Sequence, residues 1–424
     1  MTDFPKRTIK DIPLTGMPIL LRADYNVPVA ANGQVHDSYR ITQSIPTIKA
    51  LLALKTKIVI CSHLGRPEGK TVPSMSLAPV AVELTKLLGQ EVKFVPECVG
   101  DQVVSAVAKM NPGDVILLEN LRFHEGEEKN DLAFATRLAH DSGARYFVQD
   151  GFGVVHRTNA STVAITHRLP SVAGPLVEKE YVSIRSALDQ PKRPLTVIMG
   201  GAKVADKIDL IGNMIDVADI MVIGGAIANT FLKFYNGNEI GTSFYDEDGG
   251  DAVATLMHKL CKKWCRQNNA CQCESCPDCS THLILPRDVA VAPEIEPHAV
   301  RKEVSLDNVT PNDKILDVGE HTARQIVAAI ESSRAVIWNG TLGYAELPQF
   351  ADSSNAVAAT LASRRQQVDT LICGGDTADF VLGWATAHHH DPAAFFYHIS
   401  TGGGASLELM EGKKLPGVEA LMDR

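Results

Sequence analysis

At 424 residues the chain is too long for one ordinary hydrophobic core, so two domains are expected. Its composition, 45% hydrophobic and 21% charged, is that of a soluble globular protein of enzyme size, and no apolar run approaches membrane-spanning length. A formal net charge of −9 argues against a nucleic-acid binder but leaves room for a local basic pocket holding a small anion.

The opening Met-Thr-Asp-Phe-Pro-Lys-Arg has no apolar signal core behind it, so a cytoplasmic protein is expected. Four apolar runs in the first half then end in polar loops. Leu20–Ala23 opens into Asp24-Tyr25-Asn26, and Lys57–Cys61 into Ser62-His63-Leu64-Gly65-Arg66. Val115–Leu118 opens into Glu119-Asn120-Leu121-Arg122, and Tyr146–Val148 into a segment that reaches His156-Arg157. Helical patterns lie between, as at Leu77–Leu88 and Asp131–Ser142. Such alternation predicts an α/β fold with a doubly wound parallel sheet, whose ligands bind beyond the carboxyl ends of the strands. Those ends deliver Arg22, Arg40, His63, Arg66, Arg122, His156 and Arg157. One such arginine is usually a surface ion pair, but seven basic groups on one edge repel unless an anion or carboxylates such as Asp24 lie among them. Gly65–Thr71 imitates a phosphate-binding P-loop, yet only three residues separate its glycines where four are needed, and Pro67 removes an N–H donor.

The stretch His167–Pro194 carries one helical pattern between prolines and reads as a stiff interdomain link. Beyond it the strand ends change character. Leu195–Met199 ends in Gly200-Gly201-Ala202-Lys203, Asp219–Ile223 in Gly224-Gly225, and Ala335–Trp338 in Asn339-Gly340. Leu371–Cys373 ends in Gly374-Gly375-Asp376-Thr377, and a strand over Phe395–Ile399 is expected to end in Ser400-Thr401-Gly402-Gly403-Gly404 before a helix from Ala405 to Glu411. Glycine turns at helix starts bring bare N–H groups to phosphate oxygens. Lys203 and Lys207, spaced i, i+4, are expected on one face at a helix start, with Val204, Ile208, Ile211 and Ile215 as its buried stripe. Asp376 could reach Mg²⁺ carried by the phosphates, turn capping being the alternative.

Of nine cysteines, Cys61, Cys98 and Cys373 stand alone and are expected to be buried. Cys261, Cys265, Cys271, Cys273, Cys276 and Cys279 crowd into an insertion at about 261–282 that offers enough soft ligands for one structural Zn²⁺. An iron–sulfur cluster, free thiols or adventitious disulfides are the other readings of this segment.

Arg22–Pro28, Ser62–Pro67, Leu118–Phe123, Gly200–Ile208 and Ser400–Glu408 together resemble phosphoglycerate kinase, in order along essentially the whole chain. The resemblance implies two Rossmann-like domains facing across a hinged cleft. Residues 1–175 would bind 3-phosphoglycerate, 176–190 form the interdomain helix, 191–404 bind nucleotide, and 405–424 return to the first domain. It implies reversible phosphoryl transfer between ATP and the carboxylate of 3-phosphoglycerate, giving ADP and 1,3-bisphosphoglycerate, with Mg²⁺, in a monomer needing no nucleic acid or membrane. By motif, Asp24, Asn26, Arg40, His63, Arg66, Arg122 and Arg157 would hold the triose, with Arg22 and His156 in the same patch. Gly201, Lys203, Lys207, Gly225, Asn339, Glu346, Gly374, Gly375, Asp376 and Thr377 would hold the nucleotide, with Glu346 at the ribose and Asp376 at the metal. Arg40, Lys207, Gly375 and Gly404, assisted by Lys203, would stabilise the moving phosphoryl group. The chain departs from the family pattern at Gln149–Arg157, Glu320, Thr341, Tyr344-Ala345, Ala226-Ile227 and Cys373, mostly on the expected purine side. Two rival functions are a kinase of another phosphorylated acid and a nucleotide- or metal-sensing protein on a retired enzyme scaffold.

Overall fold

The computed structural model describes residues 3–30, 32–264, 282–389 and 391–424. It divides into two compact units: the chain up to Val182 with Lys413–Arg424, and Ser183–Gly412. The boundary at Val182 falls inside one helix, Pro175–Asp189. No described helix is long and apolar enough to cross a membrane.

The first unit is built on six parallel strands: β1 (Pro18–Arg22), β2 (Lys57–Cys61), β3 (Val92–Val95), β4 (Val115–Leu118), β5 (Tyr146–Gln149) and β6 (Ser171–Ala173), in the order β3-β4-β2-β1-β5-β6. The strands are continuous apolar runs because both sheet faces are covered. Ile19, Leu21, Ile58 and Ile60 join one core with Ile41, Ile48 and Val80 of the helices Tyr39–Ala53 and Ala78–Leu88. Leu20, Val59 and Cys61 point the other way, to Val103, Phe134 and Leu138 of the helices Asp101–Ala108 and Leu132–Asp141. The last residues belong to this unit through backbone pairing: Arg7 N–H donates to Met422 O at 2.8 Å, and Met422 N–H to Ser171 O at 3.0 Å.

The second unit repeats the plan with β7 (Leu195–Met199), β8 (Ile220–Ile223), β9 (Leu283–Ile284), β13 (Ala335–Asn339), β14 (Asp369–Cys373) and β15 (His398–Ile399), parallel in the order β15-β14-β13-β7-β8-β9. The α/β class with two parallel sheets is as expected. A further antiparallel sheet was not foreseen: β10 (Asp288–Ala292) lies between β11 (Lys302–Ser305) and β12 (Lys314–Val318). Its connections, 293–301 and 306–313, are too short for the helical crossover that parallel pairing needs.

Two local expectations are corrected. The strand expected over Phe395–Ile399 is only His398–Ile399, because Asp391 caps a helical turn, Pro392–Phe395, by accepting from Ala393 N–H at 2.9 Å. The helix expected to begin at Lys203 begins at Ile208, after a 3₁₀ turn over Ala205–Lys207. Lys203 and Lys207 therefore share no helical face. Of the expected stripe, Val204, Ile211 and Ile215 are buried, while Ile208 is only half-buried.

Candidate active site

In the first sheet, winding runs outward from β1 through β2 and resumes at β5 on the other side of β1. Such a reversal leaves a crevice at the carboxyl ends of the two strands. β1 ends in Arg22 and leads to Asp24 and Asn26; β2 leads to His63 and Arg66; β4 leads to Arg122; β5 leads to His156 and Arg157. Arg40 stands in the first turn of the helix Tyr39–Ala53 and donates to Asp24 Oδ2 at 2.6 Å. Asn26 N–H donates to Asp24 Oδ1 at 3.1 Å, while Asn26 Oδ1 accepts from Gly65 N–H at 2.9 Å. Arg122 Nη1 donates to Gly65 O at 2.7 Å, and its Nε lies 3.3 Å from Glu128 Oε1. The β1, β2 and β4 loops are thus cross-tied.

Arg22 is buried, and each of its three nitrogens already has a partner: Nε on Ser161 Oγ at 2.8 Å, Nη1 on Ala23 O, and Nη2 at 3.3 Å from His63 Nδ1. A guanidinium only donates, so His63 Nδ1 accepts, which leaves the ring proton on Nε2. Burial, and then Arg22, Arg122, Arg40 and Arg157, hold His63 well below the usual imidazole range. Its 3.9 Å approach to Asp24 is therefore a contact of a neutral ring rather than an ion pair. His156 is lowered too, by burial and Arg157. Arg157 is half-buried, and Arg66 is exposed. Four guanidinium groups bearing on one imidazole describe a site short of negative charge.

In the second sheet the winding reverses between β7 and β13. Gly200 follows β7 and Gly340 follows β13, and the two backbones touch. A Cβ on Gly340, whose φ is +95°, would lie 2.3 Å from Gly200 C. Lys207 Nζ donates to Gly200 O at 2.8 Å and to Asn339 Oδ1 at 2.9 Å. Asn339 Nδ2 donates to Cys373 O at 2.9 Å, and Thr377 Oγ1 accepts from Gly340 N–H at 2.6 Å. The ends of β7, β13 and β14 are so locked around one lysine. Burial lowers the Lys207 ammonium below its usual range, and Asp376 opposes that shift.

Beside these turns opens a cavity of 690 Å³, whose lining includes Gly201, Gly225, Glu346 and Asp376. The exposed Asp376 and the Gly375 N–H stand in the first turn of the helix Gly375–Ala387, with Gly374 as its cap. Lys203 is exposed, and neither it nor Gly404, at the start of the helix Gly404–Met410, lines this cavity. Phe244, Tyr245, Ile295 and Lys314 do line it and were not singled out from the sequence. They come from loops and one strand end without motif or period, and their only signal is three-dimensional: Phe244 and Ile295 remain 56% and 46% exposed despite their bulk.

A family model described as phosphoglycerate kinase matches residues 9–413. The chain belongs to the phosphoglycerate kinase family. It is 42% identical over 421 residues to the phosphoglycerate kinase of Moorella thermoacetica, covering 99% of this chain and all of that one. The counterpart from Pelotomaculum thermopropionicum is 41% identical over 419 residues, with 99% and 100% covered. The solved phosphoglycerate kinase from Coxiella burnetii superposes with a TM-score of 0.81 at 33% identity, covering 98% of each chain. The reaction is that of the family: reversible phosphoryl transfer between ATP and the carboxylate of 3-phosphoglycerate, in glycolysis and gluconeogenesis. Among the departures from the phosphoglycerate kinase pattern, Ala226, Thr341 and Tyr344 line the cavity, whereas Cys373 is buried and Glu320 lies elsewhere. The insertion expected to hold zinc, with Cys265, Cys271, Cys273, Cys276 and Cys279, lies outside the described residues; Cys261 lies in the last turn of the helix Gly250–Trp264 before it.

Proposed function

We propose that the unit up to Val182, completed by Lys413–Arg424, binds 3-phosphoglycerate, and that Ser183–Gly412 binds ATP or ADP. The observation that carries this reading is the contrast between the two strand-end clusters. One surrounds a neutral His63 with Arg22, Arg40, Arg122 and Arg157. The other sets glycine turns and one half-buried lysine beside an open cavity.

Arg40, Arg66, Arg122, Arg157 and His156 grip the phosphate and carboxylate of the acid, with Asp24 and Asn26 on its hydroxyl side. His63 offers its Nε2–H, and Arg22 fixes that tautomer from behind. Gly201, Gly225, Asn339 and Gly374 to Thr377 cradle the nucleotide, with Glu346 at the ribose. A carboxylate nucleophile is already ionised near neutral pH, so no general base is required. What remains is in-line positioning and stabilisation of charge on the moving phosphoryl group. Lys207 has three N–H donors and two are engaged, which leaves the third for a phosphoryl oxygen. Arg40, the Gly375 and Gly404 N–H groups and Lys203 complete the set.

Asp376 presents an exposed carboxylate to the cavity, the hard oxygen donor that Mg²⁺ accepts alongside phosphate oxygens. When bound, Mg²⁺ neutralises charge on those oxygens. Acceptor and donor are assigned to different units, so the proposal includes a hinge closure that brings them together and excludes water from the acyl phosphate. A cytoplasmic monomer belongs to the same reading.

Hydrogen exchange with each ligand alone tests the assignment. 3-Phosphoglycerate should protect the loops after β1, β2, β4 and β5, and ADP with Mg²⁺ those after β7, β13 and β14. Protection of one unit by both ligands would overturn it.

A further inference from the structure

The loop after β3 and the turn after β4 bring together three unlike donor groups that phosphoryl transfer does not use. Glu97 and Cys98 follow β3, and His124 follows the 3₁₀ turn Leu121–Phe123. A Glu97 carboxylate oxygen, Cys98 Sγ and a ring nitrogen of His124 all lie within 4.8 Å of one another. His124 Nε2 is 2.7 Å from Glu97 Oε1, and that same oxygen accepts the Cys98 backbone N–H at 2.7 Å. Cys98 Sγ–H donates to Glu119 O at 3.0 Å. The His124 ring is stacked on Phe134, with centroids 5.0 Å apart, so its orientation is set. Cys98 is buried, while Glu97 and His124 are partly open to solvent, which gives an ion a way in and leaves room for a water ligand.

We propose that Glu97, Cys98 and His124 form a site for one divalent cation of the zinc type, distinct from the Mg²⁺ that travels with the nucleotide. The donor set decides the class. Thiolate and imidazole suit borderline-soft ions, while Mg²⁺ asks for oxygen ligands in an octahedron. Three protein ligands and one water make a four-coordinate centre, with bonds of about 2.3 Å to sulfur and about 2.0–2.1 Å to nitrogen and oxygen. The three donor atoms lie within 4.8 Å of one another, and the 2.7 Å contact between His124 Nε2 and Glu97 Oε1 widens to admit the ion. On binding, the ion replaces the hydrogen bond between His124 and Glu97, the Cys98 thiol proton passes to solvent, and nothing is oxidised or reduced.

The test uses Co²⁺ as the probe, because a thiolate bound to Co²⁺ gives a near-ultraviolet charge-transfer band. The cysteines of the insertion are removed as competing ligands, so the titration is made on the full chain with Cys261, Cys265, Cys271, Cys273, Cys276 and Cys279 replaced by serine. One equivalent should bind with the thiolate band, Zn²⁺ should displace it, and excess Mg²⁺ should not. Cys98→Ser should abolish the band. Glu97→Gln and His124→Gln, both at partly exposed positions, should each weaken binding by about 100-fold or more, beyond the 10–100-fold cost of losing an outer-shell partner. As a second measurement, the parent chain and its Cys98→Ser variant should differ by one bound Zn²⁺. Absence of the band, or an affinity in the three variants equal to that of the serine-substituted parent, overturns the site.

Discussion

Lys207 and His63 show how far a residue's type predicts its role. Lys207 was legible as a phosphate-facing lysine from its place four residues after Lys203 in the Gly200–Ile208 run, but its anchoring to Gly200 O and Asn339 Oδ1 depends on a strand 132 residues away. Lys207→Ala should lower kcat with ATP and 3-phosphoglycerate by about 10²–10³, the usual loss for one transition-state donor. Lys203→Ala, at an exposed position ahead of the helix, should cost less than about a tenth of that. Equal losses from the two would refute the distinction. His63 makes a second prediction, about pH. Its folded pKa is depressed, so as pH falls below about 6.5 the unfolded chain takes up a proton that the folded chain refuses. This contribution to stability is full above that pH and declines below it. In an NMR titration the His63 ring should stay neutral through about pH 6–7.5, the range where an ordinary imidazole titrates. A midpoint near 6.5 would show that the arginines do not bear on it.

At the scale of elements, the strands and their loops follow from local pattern, whereas caps and close approaches do not. The contact between the ends of β7 and β13 tolerates no side chain at Gly340. Gly340→Ala should cost about 1–3 kcal/mol through its φ of +95° alone, and more through the clash. It should also lower kcat, because Gly200 O holds Lys207. Urea melts and steady-state rates check both; an unchanged variant would mean that the approach is not required. A second case lies at the start of the helix Pro175–Asp189, where Asp150 Oδ1 accepts from Leu176 N–H at 2.9 Å. Burial raises the Asp150 carboxyl from 3.8 to about 6. The folded chain therefore keeps a proton that the unfolded chain has lost, and Asp150's contribution to stability falls as pH rises from 3.8 to about 6. Asp150→Asn keeps the acceptor and removes the charge. At pH 7 it should be more stable than the parent, by on the order of 2 kcal/mol, with the difference shrinking toward about pH 4. A less stable Asn variant at pH 7 would sink this account.

For the whole molecule, the last twelve residues matter out of proportion to their number. Leu415, Val418 and Leu421 are buried in the unit that begins the chain, and Lys6 Nζ meets Asp423 Oδ1 at 2.7 Å. Burial of three such side chains contributes on the order of 5 kcal/mol. A chain ending at Gly412 should lose the unit up to Val182 to limited proteolysis while Ser183–Gly412 survives; uniform digestion would speak against that division. The sequence alone determined the α/β class, most strands of both parallel sheets, the basic loops of one half and the glycine turns of the other. These are local features, because an apolar run buried on both faces and the turn chemistry at its end are written in consecutive residues. Tertiary structure alone decided that β10–β12 pair antiparallel and that β15 shrinks to two residues. It also decided that Lys207, rather than Lys203, is locked between β7 and β13, and that Phe244 and Ile295 meet at one cavity. Those outcomes depend on strand order and long-range packing, where the energy of a contact is shared among segments that no local window contains.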